Sequence, residues 1–564
     1  MAWIGARIFN IKGVFWAGFI ANVTVGVLSF SYLFKTIKKI EVNQSSAYIA
    51  SLNRTPMKPV SSKIKTVLTL IWVFPLIVSC TSKSKILDPV VQTESGLVQG
   101  VANATATVTS FKGIPYAAPP VGDLRWKEPQ PPLPWKGIRD ASEFCASCIQ
   151  VKQGSRLPWT EEFMVQNDIS EDCLFLNIWT PARTAKDKLA VLVYIHGGGF
   201  TEGSGAIDTY DGDALARKGI IVVTINYRLG ALGFLVHPDL TAESSHHASG
   251  NYGLLDQVEA LRWIQDNIAA FGGDPGRVTI AGQSAGAMSV QALTASPLAK
   301  GLFHRAITQS GTSYSRSGSS TSLAEAEARG VDFAASKGAS SIADLRAMPA
   351  LEVIRNEPGQ PYFRFGTVVD GYFLTDNYLD IFAEGKQNDT PFMTGMNRDE
   401  SRYSGEKSDA YYDLYLAAAG GDSALAESTA AHEISRLNAW LWLEHRAKTA
   451  RTEGYIYYFT RAIPWPEHPE FGAFHTGDVP YFFNNLGKLD RPWTAVDTLV
   501  ADVMSSYWAN FVRTGDPNGN GLPVWSAFDP GKKEVMELGE EMGMIPVTAT
   551  EERFDFLKGQ LVGN

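Results

Sequence analysis

A serine between two glycines is the first place in this 564-residue chain where chemistry could be done. Ser284 lies in Val278-Thr-Ile-Ala-Gly-Gln-Ser-Ala-Gly-Ala-Met-Ser-Val290, which spells Gly-x-Ser-x-Gly. The five-residue pattern alone is weak, because short motifs of common residues arise by chance. Its surroundings strengthen it. An apolar strand-like run enters the motif and a small-residue helical stretch leaves it, which is how a nucleophile elbow holds a serine at a sharp turn. The start of that helix would offer the N–H of Ala285 and the positive end of the helix dipole. Upstream, Tyr194-Ile-His196-Gly-Gly-Gly199-Phe200 follows another apolar run. Successive glycines let a backbone turn its N–H groups toward a developing oxyanion, so Gly198 and Gly199 are candidate donors beside Ala285. A phosphate-binding loop is disfavoured, since the Lys-Ser/Thr that ends such a loop is missing.

A serine nucleophile needs a base, and the base needs an acid to orient it; in enzymes with this elbow, acid and then histidine follow the serine. Five of the nine histidines lie beyond Ser284. His304 precedes a strand-like run rather than following one. His432 and His445 sit in a long helical pattern, where a core or surface histidine is the default. His468 and His475 both follow the strand-like run Gly454 to Arg461, and residue types do not separate them. The acid is equally open: Asp370, Asp399 and Glu400 all follow strand-like segments.

The elements that must position these residues are legible as alternating periodicities. Leu189 to His196 and Ile220 to Tyr227 are continuous Val/Ile-rich runs, as expected of strands buried on both faces. Gly253 to Ala270 carries apolar residues at helical spacing and stops at Gly272-Gly-Asp-Pro275. Arg277 to Ala281 reads as the next strand and Ala285 to Thr294 as the next helix. Further strands are expected at His304 to Gln309, Pro391 to Thr394 and Gly454 to Arg461, and long helices at Ala424 to Arg451 and Thr494 to Arg513. This alternation predicts an α/β fold with a mainly parallel central sheet, helices on both faces and long insertions.

Charge and composition narrow the partners. The formal charge is −9 and no Lys/Arg block or nucleic-acid motif is present, so nucleic acid is not an expected partner. The 29 Phe, 20 Tyr and 14 Trp suit a well-packed interior, with some left over for a pocket. Near the N-terminus, Gly13 to Phe34 is apolar and long enough to span a bilayer. A second pattern begins at Met57-Lys58, continues through an apolar run from Val67 to Ser79 and ends in Leu76-Ile-Val-Ser-Cys80. Basic start, short apolar middle and small residue before the cut describe a secretory signal, and Leu-Ile-Val-Ser-Cys resembles the bacterial lipobox, in which the cysteine is lipidated. The expectation is therefore an upstream extension or apolar anchor over 1–56, a lipoprotein-type signal over 57–79, a tether over 80–90 and one catalytic domain over 91–564. On that reading translation starts at Met57 and the protein is exported and lipid-anchored at the cell envelope, with plain secretion as the alternative.

The other cysteines are Cys145, Cys148 and Cys173. Cys145-Ala-Ser-Cys148 has redox or zinc spacing but lacks a second Cys/His pair, so no metal site is expected. In an exported protein a structural disulfide fits better. Closing Cys148 to Cys173 would contribute roughly 3–4 kcal/mol by constraining the unfolded chain and would leave Cys145 as a free thiol.

From about Val90 onward the chain resembles the type-B carboxylesterase family, which includes the cholinesterases. The resemblance is carried by Phe111-Lys-Gly-Ile-Pro-Tyr-Ala-Ala-Pro-Pro120 with Leu124-Arg-Trp126, and by Ser170-Glu-Asp-Cys-Leu-Phe-Leu-Asn177. It continues through the His196 glycine run, Asn226-Tyr-Arg-Leu-Gly-Ala-Leu-Gly-Phe234, Asn251-Tyr-Gly-Leu-Leu-Asp-Gln257, the block Phe271 to Gly286, and Phe303-His-Arg-Ala-Ile-Thr-Gln-Ser-Gly311. The family's acid motif matches Gly395-Met-Asn-Arg-Asp-Glu400 and its histidine motif matches Gly472-Ala-Phe-His475. The resemblance thus implies an α/β-hydrolase fold, a triad of Ser284, Glu400 and His475, an oxyanion hole from Gly198, Gly199 and Ala285, and a Cys148–Cys173 disulfide. It also implies that Arg125 and Glu171 form a structural ion pair. Where many relatives carry Glu before the nucleophile, this chain has Gln283. The family's second disulfide has no cysteines here.

The implied activity is hydrolysis of a small or medium-sized carboxylic ester through an acyl-enzyme, without metal or organic cofactor. The same triad could serve an amide, carbamate or lactone, and the family also includes non-catalytic binding proteins. Phe200 and Trp465 are candidate pocket residues. Neither the physiological ester nor the oligomeric state is expected from sequence.

Overall fold

The computed structural model of the chain describes residues 86–311, 314, 321–355 and 362–562. The expectations for 1–56, for the signal at 57–79 and for Cys80 lie outside the described residues. Of the tether expected at 80–90, the described end is already part of the fold: Leu87 is buried and its N–H donates to the Ala182 carbonyl at 2.8 Å.

The central sheet takes its strands in chain order as β1 (Val101–Ala102), β2 (Thr109–Pro115), β3 (Phe175–Thr180), β4 (Leu189–Ile195), β5 (Ile221–Ile225) and β6 (Gly273–Gln283). β7 (Arg305–Gln309), β8 (Phe392–Asn397), β9 (Gly454–Phe459), β10 (Glu534–Leu538) and β11 (Met542–Pro546) complete it. Their spatial order is β11-β10-β9-β8-β7-β6-β4-β5-β3-β2-β1. Every pairing from β5 through β4, β6, β7, β8 and β9 to β10 is parallel, and antiparallel strands flank this block on both sides. The reversal between β4 and its two neighbours, β5 on one side and β6 on the other, opens a crevice at the carboxyl ends of the strands, where ligands bind in open α/β sheets.

Strand residues alternate between two apolar layers, as a period of two requires. On β4, Val191, Val193 and Ile195 join one layer, while Ala190, Leu192 and Tyr194 join the other. The first layer receives α1 (Tyr252–Asn267) through Leu254, Val258, Leu261 and Ile264, and α2 (Ala285–Ala295) through Val290 and Leu293. It also receives Leu437, Trp440 and Trp442 of α4 (Ser423–Ala447), whereas α3 (Leu323–Ser336) contributes Phe333 from the insertion. The second layer is built on α5 (Ala495–Thr514), whose Val500, Met504, Tyr507, Trp508 and Phe511 all lie in it. Three of the long helices start where the sequence provides a side-chain cap: Ser322 with Glu325 for α3, Asp422 for α4 and Thr494 with Asp497 for α5.

Cys148 and Cys173 are joined in a disulfide with their Cα atoms 4.9 Å apart, and Cys145 is a free thiol. Arg125 meets Glu171 through two parallel hydrogen bonds of 2.7 and 2.6 Å, and its Nη1 donates to the Leu345 and Met348 carbonyls. Among the described residues no helix is long and apolar enough to cross a membrane.

Candidate active site

β6 delivers Ser284 to the crevice. Gln283 is its last residue and Ala285 the first of α2, so Ser284 alone makes the turn, with φ 56° and ψ −122°. Such a backbone is strained for a residue with a Cβ, and it persists because its surroundings allow nothing else. The Ser284 N–H donates to the Gln309 carbonyl of β7 at 2.8 Å, and the Met288 N–H returns to the Ser284 carbonyl at 3.0 Å. The flanking glycines are steric necessities. A Cβ on Gly286 would come within 2.0 Å of the Ile195 carbonyl oxygen, and one on Gly282 within 2.4 Å of the Gly286 carbonyl. The motif's glycines thus let α2 cross directly over β4 and β6.

The glycine run leaves β4 beside this turn. A Cβ on Gly197 would lie 2.6 Å from the Gln283 carbonyl oxygen and 3.0 Å from the Ser284 Cβ, so loop and elbow touch backbone to backbone. Gly198 and Gly199 adopt φ 106° and 61°, in the region that favours glycine. The Gly198 carbonyl accepts from the N–H groups of Thr201 and Glu202, which folds the loop into a tight turn. His196 braces its base: the ring is buried against Tyr227 and its Nδ1 lies 2.8 Å from the Gly197 carbonyl. Burial pushes the His196 pKa down to about 4 against the opposing Gly197 hydrogen bond, so the ring is neutral and donates from Nδ1.

The histidines and acids left unresolved by residue type separate cleanly in space. His475 Nδ1 lies 2.6 Å from Glu400 Oε2, and its Nε2 faces the Gln283 amide at 3.2 Å. Glu400 follows β8 and accepts from the Asn397 N–H at 2.7 Å through its other oxygen. Asp399 is turned to other partners, Arg398, His432 and the Ala473 N–H, and so supports the loop that carries His475. Asp370 accepts from Asn251 and from the N–H groups of Tyr372 and Leu374. His468 meets Glu470, His304 accepts from the Val278 N–H, and His445 donates to the Leu379 carbonyl.

Burial alone would lower the His475 pKa. The Glu400 hydrogen bond and charge, with the charge of Asp478 behind them, outweigh it and hold the imidazole above its ordinary value. Asp478 was not singled out as a candidate from the sequence. It is fully buried and accepts from Gln309 at 2.7 Å, Tyr457 at 3.1 Å and Asn397 at 3.2 Å. Burial, with the nearby Glu400 charge, raises its pKa despite those bonds. The signal was present in Gly472-Ala-Phe-His-Thr-Gly-Asp478, three residues past the histidine.

Ser284, His475 and Gly197 to Gly199 all line one pocket of about 850 Å³. Phe200 lines it and packs on Phe234, which also lines it. Trp465 does not line it: its ring stacks under Arg491 and packs against His468 and Phe471, which is a structural cluster beside the histidine loop. Lys152, Arg156, Arg329 and Arg364 line the pocket without any sequence signal having marked them. Among the described residues no cluster of His, Cys, Asp and Glu is arranged to hold a metal ion.

Comparison with known proteins places this geometry in a lineage. The family model described as "Carboxylesterase family" matches residues 87–419 and 423–557. The fumonisin B1 esterase of Sphingopyxis macrogoltabida is 37% identical over 80% of this chain and 86% of its own length. The medium-chain fatty acyl-CoA hydrolase precursor of Anas platyrhynchos is 36% identical over 82% of this chain and 91% of its own. The solved carboxylesterase of Geobacillus stearothermophilus superposes with a TM-score of 0.69 at 31% identity, covering 83% of this chain and 99% of that one. The chain belongs to the carboxylesterase family and has its α/β-hydrolase fold.

Proposed function

We propose that the chain hydrolyses carboxylic esters through an acyl-enzyme on Ser284, with His475 as base and Glu400 as the acid that orients it. Carboxylic ester hydrolysis is the activity of its family, and the chain is a carboxylic ester hydrolase. The observation that carries the residue assignment is the 2.6 Å bond between His475 and Glu400 beside an elbow serine that opens on the same pocket. His475 takes the Ser284 proton as Oγ attacks the ester carbonyl, and the N–H groups of Gly198, Gly199 and Ala285 receive the oxyanion. Loss of one such donor costs about 3–4 kcal/mol of transition-state stabilisation. The imidazolium then gives its proton to the departing alkoxide. Water, deprotonated by the same ring, attacks the acyl carbon, and the acid leaves as Ser284 regains its proton.

The pocket volume and its aromatic walls suit a small or medium-sized ester, and the relatives named for fumonisin B1 and fatty acyl-CoA support a site that accepts sizeable groups. Ser284→Ala tests the assignment: p-nitrophenyl acetate turnover falls to background while the folded structure, followed by circular dichroism, persists. Turnover unchanged in that variant refutes it.

Export and lipid attachment at Cys80 belong to the same proposal. They are supported by Leu76-Ile-Val-Ser-Cys80 behind its apolar run, and a disulfide suits an oxidising compartment. Intact mass of the native protein should show an acylated Cys80 as first residue; a mature chain retaining Gly13 to Phe34 refutes it.

A further inference from the structure

We propose that the pocket selects esters that carry a carboxylate away from the scissile bond, with Arg329 and Arg364 as the groups that receive it. The inference rests on the reading of Ser284 as the nucleophile of an ester hydrolase and names the class of ester.

The observation is a reversal of charge. The chain is formally −9, yet the described residues lining the pocket include Lys152, Arg156, Arg329 and Arg364 against one carboxylate, Glu202. That carboxylate is already bonded to Arg156. Among the described residues the other three cations form no ion pair. Lys152 Nζ donates to the Gln166 and Asn167 carbonyls at 3.0 and 3.1 Å, which engages two of its three protons and leaves its charge uncompensated. Among the described residues Arg329, on α3, donates only to the Thr321 hydroxyl at 3.4 Å; Glu325, one turn earlier, feels its charge but turns its carboxylate back to cap the helix at Ser322. Among the described residues Arg364 has no ion-pair partner, and it stands between Phe363 and Phe365 on the pocket wall. Arg329 and Arg364 are both exposed, and an excess of one sign of charge on a pocket's lining attracts an oppositely charged substrate. A guanidinium adds planar, two-point recognition of a carboxylate. The reacting end needs no such charge. Gly198, Gly199, Ser284 and His475 meet a neutral carbonyl there, so the cations act on a remote part of the substrate.

The test compares two 4-nitrophenyl esters of equal chain length, the octanoate and the half-ester of suberic acid, which differ in a terminal carboxylate. In the native enzyme the ratio of kcat/KM, half-ester over octanoate, should fall as salt is raised, because screening weakens the attraction. In Arg329→Gln/Arg364→Gln that ratio should drop by about tenfold, chiefly through a higher KM for the half-ester, and its salt dependence should weaken to what Lys152 alone supplies. Free suberate should inhibit octanoate hydrolysis by the native enzyme and not by the double variant. A ratio unchanged in the double variant, or a half-ester that the native enzyme rejects while cleaving the octanoate, overturns the inference. A native enzyme that cleaves neither ester overturns the ester-hydrolase reading beneath it, so the two failures are distinct.

Discussion

The imidazole of His475 has one lone pair at Nε2, and the proposed mechanism gives it two claimants. As nucleophile, under the proposed mechanism, Ser284 would give its proton there, while the Gln283 amide already sits 3.2 Å away. Gln283 Oε1 is buried without a partner among the described residues. Turning the amide over would let that oxygen accept from the imidazolium once His475 is protonated, so Gln283 is suited to support both states of the ring. Gln283→Glu would fix a negative charge at that distance and stabilise the imidazolium. The neutral base is the active form, and its pKa already lies above the ordinary value, so kcat/KM should fall as pH drops through that raised pKa. In Gln283→Glu the acid limb should move to higher pH; in Glu400→Gln it should move to lower pH, with a loss of roughly a thousandfold or more at neutral pH because the tautomer is no longer held. Profiles of kcat/KM from pH 5 to 9 check both, and limbs that coincide with the native one refute the coupling. The limits of sequence are clearest at this scale. His475 and His468 share a loop, and only the position of the Glu400 carboxylate separates them in space. Asp478 matters through three donors drawn from β7, β8 and β9, a convergence that no local pattern encodes. Trp465 was a reasonable pocket candidate until Arg491, twenty-six residues on, claimed its face.

The elements were far more legible, because each long one satisfies its own periodicity before meeting a neighbour. β4 was expected at Leu189 to His196 and ends at Ile195, where His196 turns to brace the glycine loop. α2, α4 and α5 fall within a few residues of expectation, the starts of α4 and α5 set by local caps and that of α2 by the turn at Ser284. β6 is the instructive miss: expected over Arg277 to Ala281, it starts at Gly273, because Gly273 pairs with Leu189 across a register shift that interrupts the ladder before Val278. The hairpin of β10 and β11 was not foreseen; Met542–Pro546 is half-exposed along its length and lacks a buried strand's apolar run. What the sequence did encode at this scale is the close crossing of α2 over β4, and it can be tested there. Gly286→Ala forces a methyl to 2.0 Å from the Ile195 carbonyl, so backbone must shift. It should destabilise the fold by about 1–3 kcal/mol and reduce turnover by displacing Ser284. Gly487→Ala, where a Cβ meets nothing within 4 Å, should leave both within about 0.5 kcal/mol of native. Equal melting temperatures for the two variants would refute the steric account.

For the molecule as a whole, two apolar layers on one sheet supply cohesion, and buried polar groups set how that cohesion depends on conditions. Cys148 and Cys173 close 25 residues of chain, and Cys173→Ser should lower stability by about 3 kcal/mol, read from the denaturation midpoint. Acid sensitivity has a more specific source. The carboxylates held low, such as Glu243 and Asp497 at about 2, contribute stability that is complete above their unfolded values near 4 and is lost only below them. His196 acts in an earlier window. Its pKa is about 4 when folded and 6.5 when free, so the unfolded chain binds a proton between those values that the folded chain does not. The stability this neutral ring contributes is therefore complete above pH 6.5 and lost as pH falls toward 4, amounting to roughly 3 kcal/mol at the lower end. His475 shifts the opposite way, so its stabilising contribution grows as pH falls through its raised pKa and is complete by pH 6.5; with that change above the His196 window and the carboxylates below it, the net slope of the native enzyme is not diagnostic. The difference between two proteins is. His196→Gln removes the titrating ring but leaves His475 and every carboxylate in place. Urea midpoints measured from pH 7 to pH 4 should fall less steeply in the variant, by about 3 kcal/mol across the interval, even if its stability at pH 7 is lower. Parallel slopes would mean that the His196 ring is protonated in the folded state, and that the glycine loop is braced by something other than a neutral imidazole.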